Sequence, residues 1–258
     1  NMQEITQEEQ TKITQAIIKA AVLMLEFGAE SILIEQTAQR LGTALGMNSV
    51  EMSLIPAAIV LTTLYNNQSV TTTRRVHHKP INMSIVCDVQ KMVIQIERNN
   101  YDANYVMNYL KNIKPNLYNR WLVVFMVGFA CASFSNLQNG DFNAFFITFA
   151  VASIAMFIRQ ELNRKRFVMI ITFGITAFLA TCLASLSILF NLSTTPNVVL
   201  ASSVLLLVPG VPFVNSFLDA FKGYLSMGWG RWLQAIILTI ASSSGIVLAM
   251  SLLNIKGW

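Results

Sequence analysis

Hydrophobic and polar positions divide this chain into two unlike parts. From Arg120 to Leu253 five apolar runs follow one another, at 121–137, 142–158, 167–190, 198–218 and 233–253. Each approaches the roughly 20 residues that a helix needs to cross about 30 Å of hydrocarbon. The first two runs are short and are separated only by Gln138-Asn139-Gly140-Asp141, which predicts a tight helical hairpin or a tilted, deformed span. Residues 1–119 are too polar to span a membrane but numerous enough to fold. Ile13, Ile17, Ala20, Ala21 and Met24 recur there at helical spacing, Gly28 interrupts the pattern, and 30–45 resumes it up to Gly46, which predicts two helices. Between 49 and 78 β-branched residues take over, with 57–65 and 69–73 flanking an Asn66-Asn67-Gln68 turn as a hairpin and Pro56 at a bulge or edge. Helical spacing returns at 81–98 and 102–113, and Pro115 closes the domain.

Composition agrees with this division. The 258 residues are 54% hydrophobic and only 12% charged, with a mean hydropathy of +0.52, against about 25% charge in an ordinary soluble domain. A soluble single-domain enzyme does not fit those numbers. Residues 1–119 hold 10 Lys/Arg and 10 Asp/Glu, whereas 120–258 hold 8 and 3, so the formal charge of +5 belongs to the apolar part. Basic groups scattered between apolar runs fit membrane topology; nucleic acid is set aside, because its footprint needs a clustered basic face. The connection after the second run holds Arg159, Arg164, Lys165 and Arg166, the one after the fourth holds Lys222 and Arg231, and those after the first and third hold none. The positive-inside rule therefore puts the basic connections and the N-terminal domain in the cytoplasm and the C-terminus outside, with Lys256 a weak exception. The predicted fold class is a multi-pass α-helical membrane protein of about five transmembrane helices, the fourth broken at Pro-Gly-x-Pro, with an N-terminal cytosolic α+β domain; the domains are 1–119 and 120–258. The chain opens on a polar, acidic stretch, so no cleavable signal peptide is expected. Cys87, Cys131 and Cys182 stand far apart without C-x-x-C spacing and read as small apolar fillers.

Candidate chemistry concentrates in the fourth run, where Val198 to Val208 is followed by Pro209-Gly210-Val211-Pro212. Two prolines remove two amide donors, so the helix must break within the membrane, and such backbone is tolerated only where protein or a water-filled cavity satisfies it. The break predicts a helix N-terminus near Phe213 able to receive a carboxylate. Pro212, Asn215 and Asp219 then share one helical face, and Asp219 is the only acid in the run, with Lys222 or Arg231 as partners. The plainer alternative is a proline kink with Asp219 solvated at the membrane boundary. Ala241, Gly245 and Ala249, and likewise Gly128 and Ala132, repeat at four-residue intervals; such seams pack helices of the same chain or seat a partner subunit. In the N-terminal part, Arg74 and Arg75 point to opposite faces of a strand, and His77 and His78 read as solvated surface. No nucleophile elbow, zinc motif or P-loop occurs, so no catalytic residue, metal site or cofactor is assigned and an ATP-driven pump is disfavoured.

Three stretches resemble motifs of the threonine/serine exporter (ThrE) family. Gly28-Ala29-Glu30 with Glu35 resembles the G-A-x-T-x-R-V-E signature, and Thr73-Arg74-Arg75-Val76 the strand that follows it. Leu207-Val208-Pro209-Gly210-Val211-Pro212 with Asn215 and Asp219 resembles L-V-P-G-x-x-x-x-N-x-x-x-D, and the likeness runs from about 12 to 252. Leu33-Ile34 stands where Arg-Val is usual, so no role of that arginine carries over, and Phe221-Lys222-Gly223-Tyr224 replaces a small Ser-Gly-Asp run. Full-length members add a second membrane segment of about five spans, so the resemblance implies the split short form. It implies a non-enzymatic subunit of a secondary exporter of the bacterial inner membrane, surrounded by membrane lipid, driven by the proton gradient and acting on a small carboxylate, succinate above all. The implied partner is a second small membrane subunit, YjjB-like, with a homo-oligomer as a further association. On this reading Pro209, Gly210, Pro212, Asn215 and Asp219 serve substrate path or coupling, and Gly28, Glu30, Glu35 and Arg74 form a cytosolic vestibule or gate. A threonine or serine exporter, a membrane-anchored enzyme using Glu30, Glu35 and a histidine, and a regulatory or scaffolding subunit stay open as alternatives.

Overall fold

The computed structural model describes residues 5–255, so Lys256, the exception to the charge pattern, lies outside the described residues. The chain forms two compact units, Asn1–Leu117 with Phe213–Trp232, and Tyr118–Pro212 with Leu233–Trp258.

In the first unit the helix α1 (Gln7–Glu26) is central. A capping box starts it: Thr6 Oγ1 accepts the Glu9 N–H, and Glu9 accepts the Thr6 N–H, which satisfies two otherwise orphaned donors. Its Ile17, Ile18, Met24 and Leu25 are buried together with Ile34 and Leu41 of α2 (Ser31–Ala44) and with Val89, Met92 and Ile96 of α3 (Met83–Asn99). Val106 of α4 (Ala103–Asn112) joins the same core. Each such side chain contributes about 1.5–3 kcal/mol on leaving water. The expected hairpin is present as β2 (Ala58–Tyr65) and β3 (Gln68–Arg75), closed by Asn66 and Asn67 at φ 45° and 62°, a turn conformation that Asn tolerates. The structure adds β1 (Ser49–Ile55), making a three-stranded antiparallel meander. Pro56 accordingly sits with Ala57 in the two-residue turn between β1 and β2, and not at a bulge: Ile55 pairs with Ala58, so the turn needs no donor from residue 56. The sheet is tied to α1 by the buried Gln10, whose Nε2 donates to the carbonyls of Thr63 and Gln68, and by a 2.7 Å hydroxyl contact between Thr14 and Thr63. His77 and His78 are exposed. Cys87 is exposed as well, which corrects its reading as an apolar filler, whereas Cys131 is buried.

The second unit holds α5 (Arg120–Leu137), α6 (Phe142–Arg164), α7 (Met169–Leu189) and α8 (Pro196–Ser203) with a 3-10 turn at Leu205–Leu207. The helices α9 (Gly210–Phe221) and α10 (Leu225–Leu252) contribute to both units. Among the described residues α5, α6, α7 and α10 are long and apolar enough to cross a membrane, and α8 with α9 as one broken span makes five. Trp121 and Phe125 of α5, Ile171 of α7 and Val247 and Leu248 of α10 are exposed, as lipid-facing side chains are. Two of these helices extend beyond their apolar runs: Arg159 lies inside α6 and Arg231 inside α10, not in connections. A charge ends an apolar run, but it does not end a helix when the charged group finds a partner within the fold.

Both small-residue seams are occupied by helices of the same unit. A Cβ at Gly128 would lie 2.1 Å from Ser153 Oγ, and one at Gly245 would lie 2.4 Å from the Gly174 carbonyl oxygen. Close packing within the chain therefore replaces the partner seat considered for these seams. The α5–α6 turn is joined to the α7–α8 connection through Asp141, which caps α6 at the Ala144 N–H and accepts from the hydroxyls of Ser193 and Thr195 and from the Thr194 N–H.

Candidate functional site

The break follows from where backbone donors are missing. The 3-10 turn ends at Leu207, Val208 is extended, and α9 starts at Gly210, three residues before the expected Phe213. Pro209 falls between the helices, and Pro212 falls in the first turn of α9, where an N–H has no intrahelical acceptor and proline costs little. Among the described residues nothing lies within 4 Å of a Cβ built on Gly210.

Further along α9, within the first unit, Asn215 and Asp219 meet the start of α2. Asn215 Nδ2 donates to the Gly28 carbonyl at 3.0 Å. Asp219 is fully buried; its Oδ1 accepts the Ser31 N–H at 2.9 Å, and its Oδ2 lies 2.7 Å from Arg231 Nη1. That second contact lacks hydrogen-bond alignment, so it is an ion pair and not a directed bond. Arg231 is 7% exposed, and its Nη2 donates to the Ala29 carbonyl. Ser31 is the first residue of α2, whose N-cap residue Glu30 makes no side-chain cap. Asp219 supplies the missing acceptor from another helix, placing negative charge at the positive end of the α2 dipole.

Gly28 makes this arrangement reachable. Its φ is +96°, and a Cβ there would stand 2.9 Å from Ile81 Cγ1, so both the turn and the close approach require glycine. Two contacts surround the buried pair: Lys222 Nζ lies 2.9 Å from Glu30 Oε2, and the Tyr224 hydroxyl donates to Glu35 Oε2. Burial, followed by the Glu35 carboxylate, pushes the Tyr224 phenol well above its ordinary range. A buried ion pair of this kind holds while both partners stay, because removing one leaves the other charged and unsolvated. It therefore ties α9, α10 and the start of α2 together within the first unit.

The structure thus brings Gly28, Glu30, Glu35, Asn215 and Asp219 together and excludes the reading of Asp219 as a solvated boundary residue. Of the two cations considered for Asp219, Arg231 is the partner and Lys222 serves Glu30. Arg74 stays apart, exposed on β3 with Nη1 3.4 Å from the Thr73 carbonyl. Pro209, Gly210 and Pro212 belong to the second unit. Sequence reasoning missed the Ser31 N–H and the Ala29 carbonyl, which are backbone atoms without a residue signature. It also missed Tyr224, although its place in a stretch that departs from the motif pattern was a usable signal. Among the described residues no group of three or more His, Cys, Asp or Glu side chains is arranged to hold a metal ion.

Comparison with known proteins places this sequence in a family. Residues 15–253 match the family model ThrE, described as "Putative threonine/serine exporter". Two relatives named "Probable succinate transporter subunit YjjP" match along nearly their whole length. The protein of Klebsiella aerogenes is 43% identical over 97% of both chains, and that of Escherichia coli K12 is 42% identical over 97% of this chain and 98% of its own. An uncharacterized protein of Haemophilus influenzae is 48% identical over 52% of this chain and 45% of its own length. No solved structure matches. With a family match over nearly the whole sequence and full-length relatives above 40% identity, the chain belongs to the threonine/serine exporter (ThrE) family.

Proposed function

We propose that this chain is one subunit of a secondary exporter for small carboxylates, succinate first among them, driven by the proton gradient and completed by a second small membrane subunit. The observation that carries the reading is the broken apolar helix pair, whose second helix holds the fully buried Asp219 paired with Arg231. An interrupted span and a buried charge are both features that a transport task uses. Near-full-length relatives named as succinate transporter subunits supply the substrate class and the need for a partner. On this reading Pro209, Gly210 and Pro212 of the second unit and Asn215 and Asp219 of the first serve substrate path or coupling. Gly28, Glu30 and Glu35, with Arg74 on the neighbouring sheet, belong to a gate facing the cytoplasm. The inner membrane, a cytoplasmic N-terminal domain and an outer C-terminus complete the proposal, supported by the basic 164–166 connection.

Deleting the gene in the native host should slow succinate efflux from loaded cells and leave threonine and serine efflux unchanged. The family description favours the second reading, an amino-acid exporter, and the opposite pattern of efflux would establish it. Unchanged efflux of all three solutes would overturn both.

A further inference from the structure

Within the second unit one cation stands beside the break without an acidic partner. Arg159, five residues before the end of α6, donates from Nη1 to the Leu206 carbonyl at 2.7 Å, and its guanidinium lies 4.8 Å from the Phe173 ring centroid. Leu206 is in the 3-10 turn just before Pro209. The Val208 N–H goes to Leu205, and the Gly210 N–H goes to Val208, so the break leaves the Leu206 carbonyl without a backbone donor and Arg159 takes it. Helical side chains lean toward the N-terminus of their helix, which directs Arg159 away from the basic 164–166 end, against the direction a snorkelling arginine takes. Among the described residues no Asp or Glu lies within ion-pair distance of it, and Leu206 is its one hydrogen-bond acceptor.

Arg159 is only partly buried and spends one N–H group on the Leu206 carbonyl, so its remaining donors are free for an anionic oxygen group. An ionisable side chain inside an apolar helix marks a substrate or ion path.

We propose that Arg159, held at the break by Leu206 and Phe173, binds the substrate carboxylate. This assignment rests on the exporter reading and adds to it the residue that receives the charge. It serves a dicarboxylate and an amino acid alike, because both carry the group it recognises.

The test replaces Arg159 on the chromosome of the native host, beside a deletion strain and with the amount of protein in the membrane measured. Arg159→Gln should cut carboxylate export about tenfold or more, the scale of losing a charge-assisted hydrogen bond. Arg159→Lys should keep an intermediate rate, and Arg164→Gln at the helix end should change nothing. Wild-type export by Arg159→Gln, in a strain background where deletion abolishes it, overturns this inference alone. Export that falls only in proportion to protein amount in every variant reduces Arg159 to a prop for the break and overturns it too. A deletion strain that exports normally overturns the exporter reading itself.

Discussion

Asp219 and Arg231 meet where neither is solvated, and this sets what a single atom change does. Asp219→Asn keeps an oxygen for the Ser31 N–H but leaves Arg231 charged and 7% exposed, a change expected to destabilise the chain by about 3–5 kcal/mol. The double variant Asp219→Asn/Arg231→Gln removes both charges and should recover much of that loss, measured as thermal unfolding of the purified full chain. Export measured on the same pair of variants separates two roles. Recovery of export together with stability makes the pair a structural tie. Recovery of stability without export makes Asp219 a coupling residue. Its partners also show the limit of residue-level reading: the acid and its two candidate cations were visible in the sequence, but the choice between them depended on a 2.7 Å approach that spacing along the chain does not encode.

For the elements, helix contacts are set by glycine more than by bulk. The Gly174 carbonyl occupies the place of a side chain at Gly245, so Gly245→Val must move α7 and α10 apart. Overpacking of this kind costs about 1–3 kcal/mol, and the variant should lower the unfolding midpoint while a change at the exposed Val247 of the same helix leaves it unaltered. Element existence was legible because periodicity reports burial: α1 to α4, the β2–β3 hairpin and all the apolar runs were expected from the pattern. Element ends were less legible. Arg159 and Arg231 closed the apolar runs yet continue their helices, because each charge is satisfied inside the fold. The strand β1 was missed although its exposed Glu51 and Ser53 alternate with the more buried Val50, Met52 and Leu54, because only Val50 and Ile55 in it are β-branched.

At the scale of the whole molecule, the sequence reading separated a polar part from an apolar one at residue 119, while residues 213–232 join the polar part's unit from far along the chain. Hydropathy has no information on which core a distant helix enters. The proposed orientation has a direct check in Cys87, exposed in the first unit, against Cys131, buried in α5. A membrane-impermeant maleimide should label Cys87 in permeabilised cells and leave it unlabelled in intact ones; labelling in intact cells would place that unit outside.

Asp141 bears on how such a protein meets acid. The Ser193 hydroxyl, with the Thr195 hydroxyl and the N–H groups of Thr194 and Ala144, holds its carboxyl down to about 2. A carboxyl depressed in the folded state stabilises at every pH above its ordinary range, and that contribution fades only as pH falls through the depressed value. The joint it makes between two loops of the second unit is thus a rivet and not a sensor. Acidification that protonates ordinary surface carboxylates therefore leaves this end of the second unit fastened.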